Sequence, residues 1–139
     1  MTMTRPTEAL TEAAILALLS AGVKKARDMG QPQCIVIVDA SGVDLGCIRM
    51  DGARFLSMRS ARAKAETAAS TGNPSGSISE AARMLLAAAT GGSVTGLPGG
   101  LPIRVKGVLL GGIGVGSGTG AQDVEVAEAA LAAIGADPV

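Results

Sequence analysis

Arg49, Asp51 and Lys64 form a compact charged group in the sequence, and Asp123 adds an acid just after a glycine-dense segment. Arginine's planar fork suits a carboxylate. A nearby lysine can act as a charge partner, a proton donor or, once desolvated, a base or imine-forming amine. An aspartate beside it can take and return a proton. Lys64, Asp51 and Asp123 are therefore the candidate catalytic residues, with Arg49 as a carboxylate clamp. The plainer reading of the same residues is a solvated helix face on which Arg49 pairs with Asp51. Of the 12 basic residues, those from Arg49 to Lys64 make a local positive patch in a chain whose 12 acids cancel its bases.

The residue types that are missing narrow the chemistry further. There is no histidine, so serine–histidine triads, cysteine–histidine nucleophiles and histidine metal sites are excluded, and the commonest haem ligand is absent. Cys34, Cys47, Met50, Met58 and Met84 are the remaining formal haem ligands, and each also serves as core filler. No cluster of carboxylates has metal-ligand spacing, so no metal site is expected. Zero net charge and a single aromatic, Phe55, argue against a nucleic-acid partner, which needs a basic field and stacking platforms. Two cysteines without a secretory context point to a reduced, cytoplasmic protein. The apolar run Ala13 to Val23 is too short to span a bilayer. Acids precede it and bases follow it, the reverse of a signal peptide, so a helix is expected there and no membrane partner.

The elements that would position these residues follow from pattern. A first helix is expected from Thr7 to Met29, capped by Thr7 or Thr11 and stopped by Gly30 and Pro32. Gln33 to Val38 and Val43 to Met50 read as a β-hairpin across Asp39-Ala-Ser-Gly42. A second helix from Arg54 to Ser70 places Phe55, Met58, Ala61, Ala65 and Ala68 on an apolar stripe and stacks Ser60, Lys64 and Thr67 along another line. Ser77-Ile-Ser-Glu80 fits a capping box opening a third helix that runs to about Ala89. Leu101 to Val105 and Val108 to Val115 form a second hairpin around Lys106-Gly107. Thr119-Gly-Ala-Gln122 is another capping box, opening a last helix to about Ile134 with Val124, Ala127, Leu131 and Ile134 inward and Gly135 as its C-terminal stop. This order predicts one α+β domain over residues 1–139 with a mainly antiparallel sheet.

Glycine is densest between Leu97 and Ala121. Such density costs backbone entropy, so something must approach the backbone closely: a ligand, a neighbouring subunit or another element of the fold. Gly116-x-Gly118-x-x-Ala121 superficially matches a dinucleotide fingerprint, but the downstream strand and acid of that unit are missing. The Gly99-Gly100 turn and the Gly116–Gly120 loop are expected to form one wall of a small pocket opposite the Arg49–Lys64 segment.

Four blocks carry a family resemblance: Val36-Ile-Val-Asp39-Ala-Ser-Gly42 with Ile48-Arg-Met-Asp-Gly52; Lys64-Ala-Glu-Thr-Ala68; Gly99-Gly-Leu-Pro-Ile103; and Gly114-Val-Gly-Ser-Gly-Thr-Gly-Ala-Gln-Asp123. In this order they resemble the GlcG/HbpS-like family, which includes haem-binding or haem-degrading proteins and the C-terminal domain of PduO-type corrinoid adenosyltransferases. The resemblance implies a profilin/PAS-like antiparallel sheet of four to five strands, packed with N-terminal, central and C-terminal helices, in a homo-oligomer. It also implies a ligand-binding protein for haem, a corrinoid or another tetrapyrrole, with Arg49, Phe55, Thr67, Gly99, Gly100 and Gly116 as the ligand-binding set. The sequence departs from the family pattern at Pro98, where an acid is common, and at Gly116, where the family serine stands one position before Ser117. These departures and the missing histidine keep two alternatives open. One is a cofactor-independent isomerase or lyase acting on a small carboxylate-bearing metabolite, and the other is a structural oligomer without a small ligand.

Overall fold

The computed structural model describes all 139 residues. Its elements are α1 (Glu12–Asp28), β1 (Cys34–Asp39), β2 (Asp44–Arg49), α2 (Ser57–Thr71), two short 3-10 turns (Ser75–Ser77 and Glu80–Ala82), α3 (Arg83–Ala89), β3 (Gly100–Val105), β4 (Val108–Gly116) and α4 (Gly120–Ala133). The strands form one antiparallel sheet of order β2-β1-β4-β3. This is the expected α+β architecture, with four strands.

Strand alternation divides the protein into three layers. Ile35 and Ile37 of β1, Leu101 and Ile103 of β3, and Ile113 and Val115 of β4 face α1 and α4, where they meet Leu18, Val126, Ala130 and Leu131. Cys34, Val36 and Val38 face the other way, onto Ala61, Ala65 and Ala69 of α2. A strand buried on both faces carries apolar residues at every position, which is why β1 reads as an unbroken apolar run.

The glycines of β4 explain how α2 lies on the sheet. Gly112, Gly114 and Gly116 share the face toward α2. A Cβ at Gly114 would land on the Ala61 carbonyl oxygen and one at Gly112 on that of Ala65, while one at Gly116 would lie 3.0 Å from that of Ser57. Ser57, Ala61 and Ala65 are spaced i, i+4, i+8. Four helical residues rise about 6 Å and two strand residues about 6.7 Å, so helix and strand stay in step for two turns. The close approach demanded by the glycines is made by another element of the fold.

Local signals set several boundaries. Thr11 caps α1, accepting the Ala14 N–H at 3.1 Å, and the helix begins there rather than at Thr7. Thr119 and Gln122 form the expected capping box of α4. Lys106 and Gly107 both have positive φ, as a tight hairpin turn requires, and the Asp137 carboxylate accepts both of their N–H groups.

Three expectations are corrected. Ser77 makes no capping box: its hydroxyl donates to the Pro74 carbonyl at 2.6 Å and the chain breaks into 3-10 turns before α3 begins at Arg83 without a side-chain cap. The Arg83 side chain instead bonds back to the carbonyls of Gly76 and Ile78. Phe55 precedes α2 and is 68% exposed, so the apolar stripe of that helix is Met58, half-buried, followed by alanines. On α4, Ala127 and Leu131 face inward and Ile134 packs on the core as expected, but Val124 is only half-buried, and Asp123, Val126 and Ala130 complete the buried face. No helix is long and apolar enough to cross a membrane.

Candidate functional site

Lys64 lies on α2 between the alanines that meet β4 and the face toward β3. Its stem therefore runs along the sheet instead of into solvent, and the residue is 4% exposed. Nζ donates to the Val115 carbonyl at 2.8 Å and to Asp123 Oδ2 at 2.9 Å. Asp123, in the first turn of α4, is 2% exposed, and its Oδ1 accepts the Gly118 N–H at 3.0 Å. This is the one buried ion pair among the four in the structure. It ties α2, the end of β4 and the start of α4 together.

Gly99 makes room for the pair. Its φ is +123°, and a Cβ there would lie 3.1 Å from Lys64 Nζ and 2.9 Å from the Asp123 Cβ. Gly100 fits against the Lys64 backbone in the same way, and its N–H donates to the buried Ser75 hydroxyl at 2.9 Å. Thr67 is fully buried, donating to the Ser93 carbonyl and accepting the Thr95 N–H. It holds the segment that leads into the Gly99 turn and lies apart from the cavity.

A cavity of about 260 Å³ opens onto the ion pair. Arg54, Ser57, Ser60, Pro98 and Ser117 line it together with Lys64 and Asp123. Arg54, Ser57 and Ser60 also line a wider hollow of about 730 Å³ that continues outward over Arg49, Ala53, Phe55 and Leu56. The two form one cleft, polar and charged at the floor and apolar with two guanidinium groups at the mouth. Neither Arg49 nor Arg54 has a side-chain hydrogen bond or ion pair within the chain. Asp51 lies in a second hollow at the end of α1, lined also by Arg27, Gln31 and Arg49; Arg49 thus borders both hollows, but it forms no ion pair with Asp51. The structure thus brings Lys64 and Asp123 into contact, sets Arg49 and Phe55 at the mouth, backs Gly116 against Ser57 and Ser60, and leaves Asp51 outside the cleft.

Sequence reasoning passes over Arg54 and Gln33 and meets Ser117 only as a departure from the family pattern; the structure places all three at the site. Arg54 is held by its backbone: its N–H donates to Ser117 Oγ at 3.0 Å and its carbonyl accepts from Cys34 Sγ at 3.5 Å. Burial pushes the Cys34 thiol up from its ordinary value, with Arg49 opposing and Asp123 adding to the rise. Ser117 has φ +92°, a conformation that L-residues rarely adopt. Gln33, immediately before β1, is fully buried, and neither atom of its amide has a partner in the chain. Its Nε2 faces Gly118, where a Cβ would lie 2.7 Å from it and 2.9 Å from Asp123 Oδ1. The available signal for Gln33 is a polar residue abutting an apolar strand.

Sequence comparison places these residues in a known context. A family model described as "Haem degrading protein HbpS-like" matches residues 10–132. The chain belongs to the HbpS-like family. Corrinoid adenosyltransferases PduO of Citrobacter freundii and Salmonella typhimurium are 34% and 33% identical to it over 122 residues, covering 84% of this chain and 36% of each relative. The chain therefore spans about a third of their length. Several solved structures share the fold. PduOC in complex with haem has a TM-score of 0.87 at 29% identity, covering 94% of this chain and 99% of that one. Klebsiella pneumoniae protein ORFY has 0.91 at 28%, covering 96% and 95%. A double mutant of Streptomyces reticuli HbpS has 0.85 at 30%, covering 95% and 91%. Lys64 and Asp123 belong to two of the four sequence blocks that resemble the HbpS-like pattern, and in space those blocks meet at the ion pair.

Proposed function

We propose that this HbpS-like protein binds a small carboxylate-bearing molecule in the cleft, with Arg54 and Arg49 on the carboxylate and the Lys64–Asp123 pair beneath it. The buried pair under an open polar cavity carries this reading. Removing two charges from water costs several kcal/mol per ion before their attraction repays it, and placing them at the floor of a cavity puts a proton donor and acceptor against whatever enters. Two unpaired guanidiniums at the mouth supply the counter-charge. In this site Lys64 and Asp123 move a proton on the bound molecule, as an isomerase or lyase acting without a metal or flavin would do. The test is calorimetric titration with a panel of aliphatic and aromatic carboxylates. Saturable binding that falls at least about tenfold in Arg54→Ala, about 1.4 kcal/mol, is the expected result. No binding by any member of the panel would reject the reading.

A tetrapyrrole is the second reading, favoured by the haem complex of PduOC and by the apolar outer hollow at Phe55 and Leu56. The donor set decides how far it goes. Arg49 and Arg54 suit the macrocycle's carboxylates and Phe55 suits its face, but no side chain in the cleft suits the iron. Histidine is absent, the Lys64 ammonium ion-paired to Asp123 has no lone pair to give a metal, Cys34 Sγ is buried on the Arg54 carbonyl, and Met50 and Met58 pack against the apolar clusters. The residues therefore do not fit a metal-ligated haem. Haemin and cobalamin titrations followed by absorbance separate the readings. A saturable Soret shift at micromolar haemin that persists in Arg49→Ala and Arg54→Ala would rule against the carboxylate site.

A single domain over residues 1–139, a cytoplasmic location and a homo-oligomer belong to the same proposal. The use of only two cysteines, which form no disulfide with each other, and the exposed Phe55, Leu56, Met84 and Leu85 are the grounds for the last two. Sedimentation at micromolar concentration tests the oligomer.

A further inference from the structure

The hydrogen-bonding groups that line the cavity are partly spent on one another, and what is left unspent specifies the ligand. This inference rests on the carboxylate reading above and deepens it. A serine hydroxyl has one hydrogen to give and two lone pairs to receive with. Ser60 has given its hydrogen to the Ser57 carbonyl at 3.2 Å, so toward the cavity it can only accept. Ser117 is the opposite case. One of its lone pairs takes the Arg54 N–H and no protein group accepts its hydrogen, so toward the cavity it donates. Lys64 has three N–H donors, two of them spent on Val115 and Asp123, and one remains. The Arg54 guanidinium keeps all of its donors.

The unspent groups are thus donors at Arg54, Ser117 and Lys64, an acceptor at Ser60, and the neighbouring Ser57 hydroxyl, which bonds to nothing in the chain and can give or receive. Ser117 holds its place at a cost. It is one of two non-glycine residues with positive φ. The other, Lys106, sits in a hairpin turn where that conformation belongs, whereas Ser117 stands in a loop flanked by glycines, in a position that a glycine would fill without strain. The loop is pinned there from three sides, by the Arg54 N–H on the Ser117 hydroxyl, by Gln31 Nε2 on the Ser117 carbonyl at 3.1 Å and by the Gly118 N–H on Asp123. A strained serine with its hydrogen unspent, beside an unpaired arginine, is an arrangement aimed at an oxyanion.

We infer that the cleft selects a carboxylate that carries a hydroxyl or amine hydrogen next to it. The carboxylate faces Arg54, Ser117 and Lys64, and the neighbouring hydrogen faces Ser60 Oγ. A carboxylate lacking that hydrogen leaves the Ser60 lone pairs desolvated and unmatched, which is how a polar site rejects the analogue missing a polar group. A hydroxyl and an amine share this donor chemistry, and the test distinguishes them.

The experiment titrates the full chain with three acids of one shape: phenylacetate, mandelate and phenylglycine. The expected result is mandelate or phenylglycine binding at least tenfold more tightly than phenylacetate, with the stronger of the two naming the donor. Ser60→Ala should narrow that preference to within about threefold. Ser117→Gly, which relieves the φ strain, should keep or raise the melting temperature while weakening all three acids about tenfold. Equal binding of the three acids by the native chain, or a preference that Ser60→Ala leaves in place, overturns the inference while leaving the carboxylate reading standing. Binding of none overturns both. Ser117→Gly that melts higher and binds as well as the native chain removes Ser117 from the site.

Discussion

Lys64 and Asp123 are 59 residues apart in the chain and 2.9 Å apart in the structure, with both side chains 5% exposed or less. Each is the other's only charged partner. Removing one leaves a buried, uncompensated charge, which costs about 3–5 kcal/mol, whereas replacing a buried pair by apolar residues of similar volume is often neutral or stabilising. Lys64→Met and Asp123→Leu should therefore each lower stability by about 3–5 kcal/mol, and the double variant should recover most of the loss without recovering ligand binding. Chemical denaturation of the four proteins checks this. Additive losses in the double variant would show that the two residues act independently.

The step-for-step match of α2 with β4 predicts a graded glycine series. At Gly114 a new Cβ meets the Ala61 carbonyl, a backbone atom that cannot turn aside. Gly114→Ala should cost at least the about 1–3 kcal/mol of an overpacked core. At Gly116 the nearest atoms stand at 3.0 and 3.1 Å, one of them the Ser60 hydroxyl, so Gly116→Ala should cost clearly less. Melting temperatures in the reverse order would refute the packing account.

Gln33 offers a stabilising substitution. An unsatisfied buried polar group costs about 1–3 kcal/mol, and both polar atoms of this amide are unpartnered. Leucine matches its volume without that cost, so Gln33→Leu should raise stability by about 1–3 kcal/mol. A loss of stability on denaturant titration would mean that the amide is satisfied by a buried water.

The two cysteines should differ in reactivity. Cys47 is exposed, while Cys34 is buried and its thiol is pushed up by desolvation. The thiolate is the nucleophile, so iodoacetamide at neutral pH should modify Cys47 and spare Cys34 until the protein is unfolded. Because the folded pKa of Cys34 lies above the unfolded one, the native state keeps a proton that the unfolded state releases. Its contribution to stability is complete below the ordinary thiol value and is lost as pH rises from there through the folded pKa. Stability should fall across that window, and Cys34→Ala should flatten the fall. An unchanged alkaline slope in Cys34→Ala would remove the thiol as its cause.

How much of this was legible depends on the range of the interaction that decides each feature. The Thr119 capping box is legible because both of its hydrogen bonds close within four residues. The same pattern at Ser77 misleads because the Pro74 carbonyl and the Arg83 side chain compete for that turn. Phe55 reads as core by its spacing from Met58 and stays outside because α2 begins only at Ser57. The glycine density of β4 is plain in the sequence, but its cause is not, since the partners Ala61 and Ala65 lie on an element fixed by packing.

The sequence alone determined the element order, the antiparallel hairpins, the exclusion of histidine chemistry and four of the residues at the cleft: Arg49, Phe55, Lys64 and Asp123. The elements and the exclusion follow from periodicity, turn chemistry and residue inventory, all local or compositional, while Arg49 and Phe55 entered as ligand-binding candidates through the family resemblance. Only the tertiary structure decided that Lys64 pairs with Asp123 rather than with Asp51, that Arg54 and Ser117 stand at the cavity, and that the glycines serve helix packing. Each of these depends on which strand lies beside which and how closely a helix settles on the sheet, and that is set by the summed burial of residues far apart in the chain.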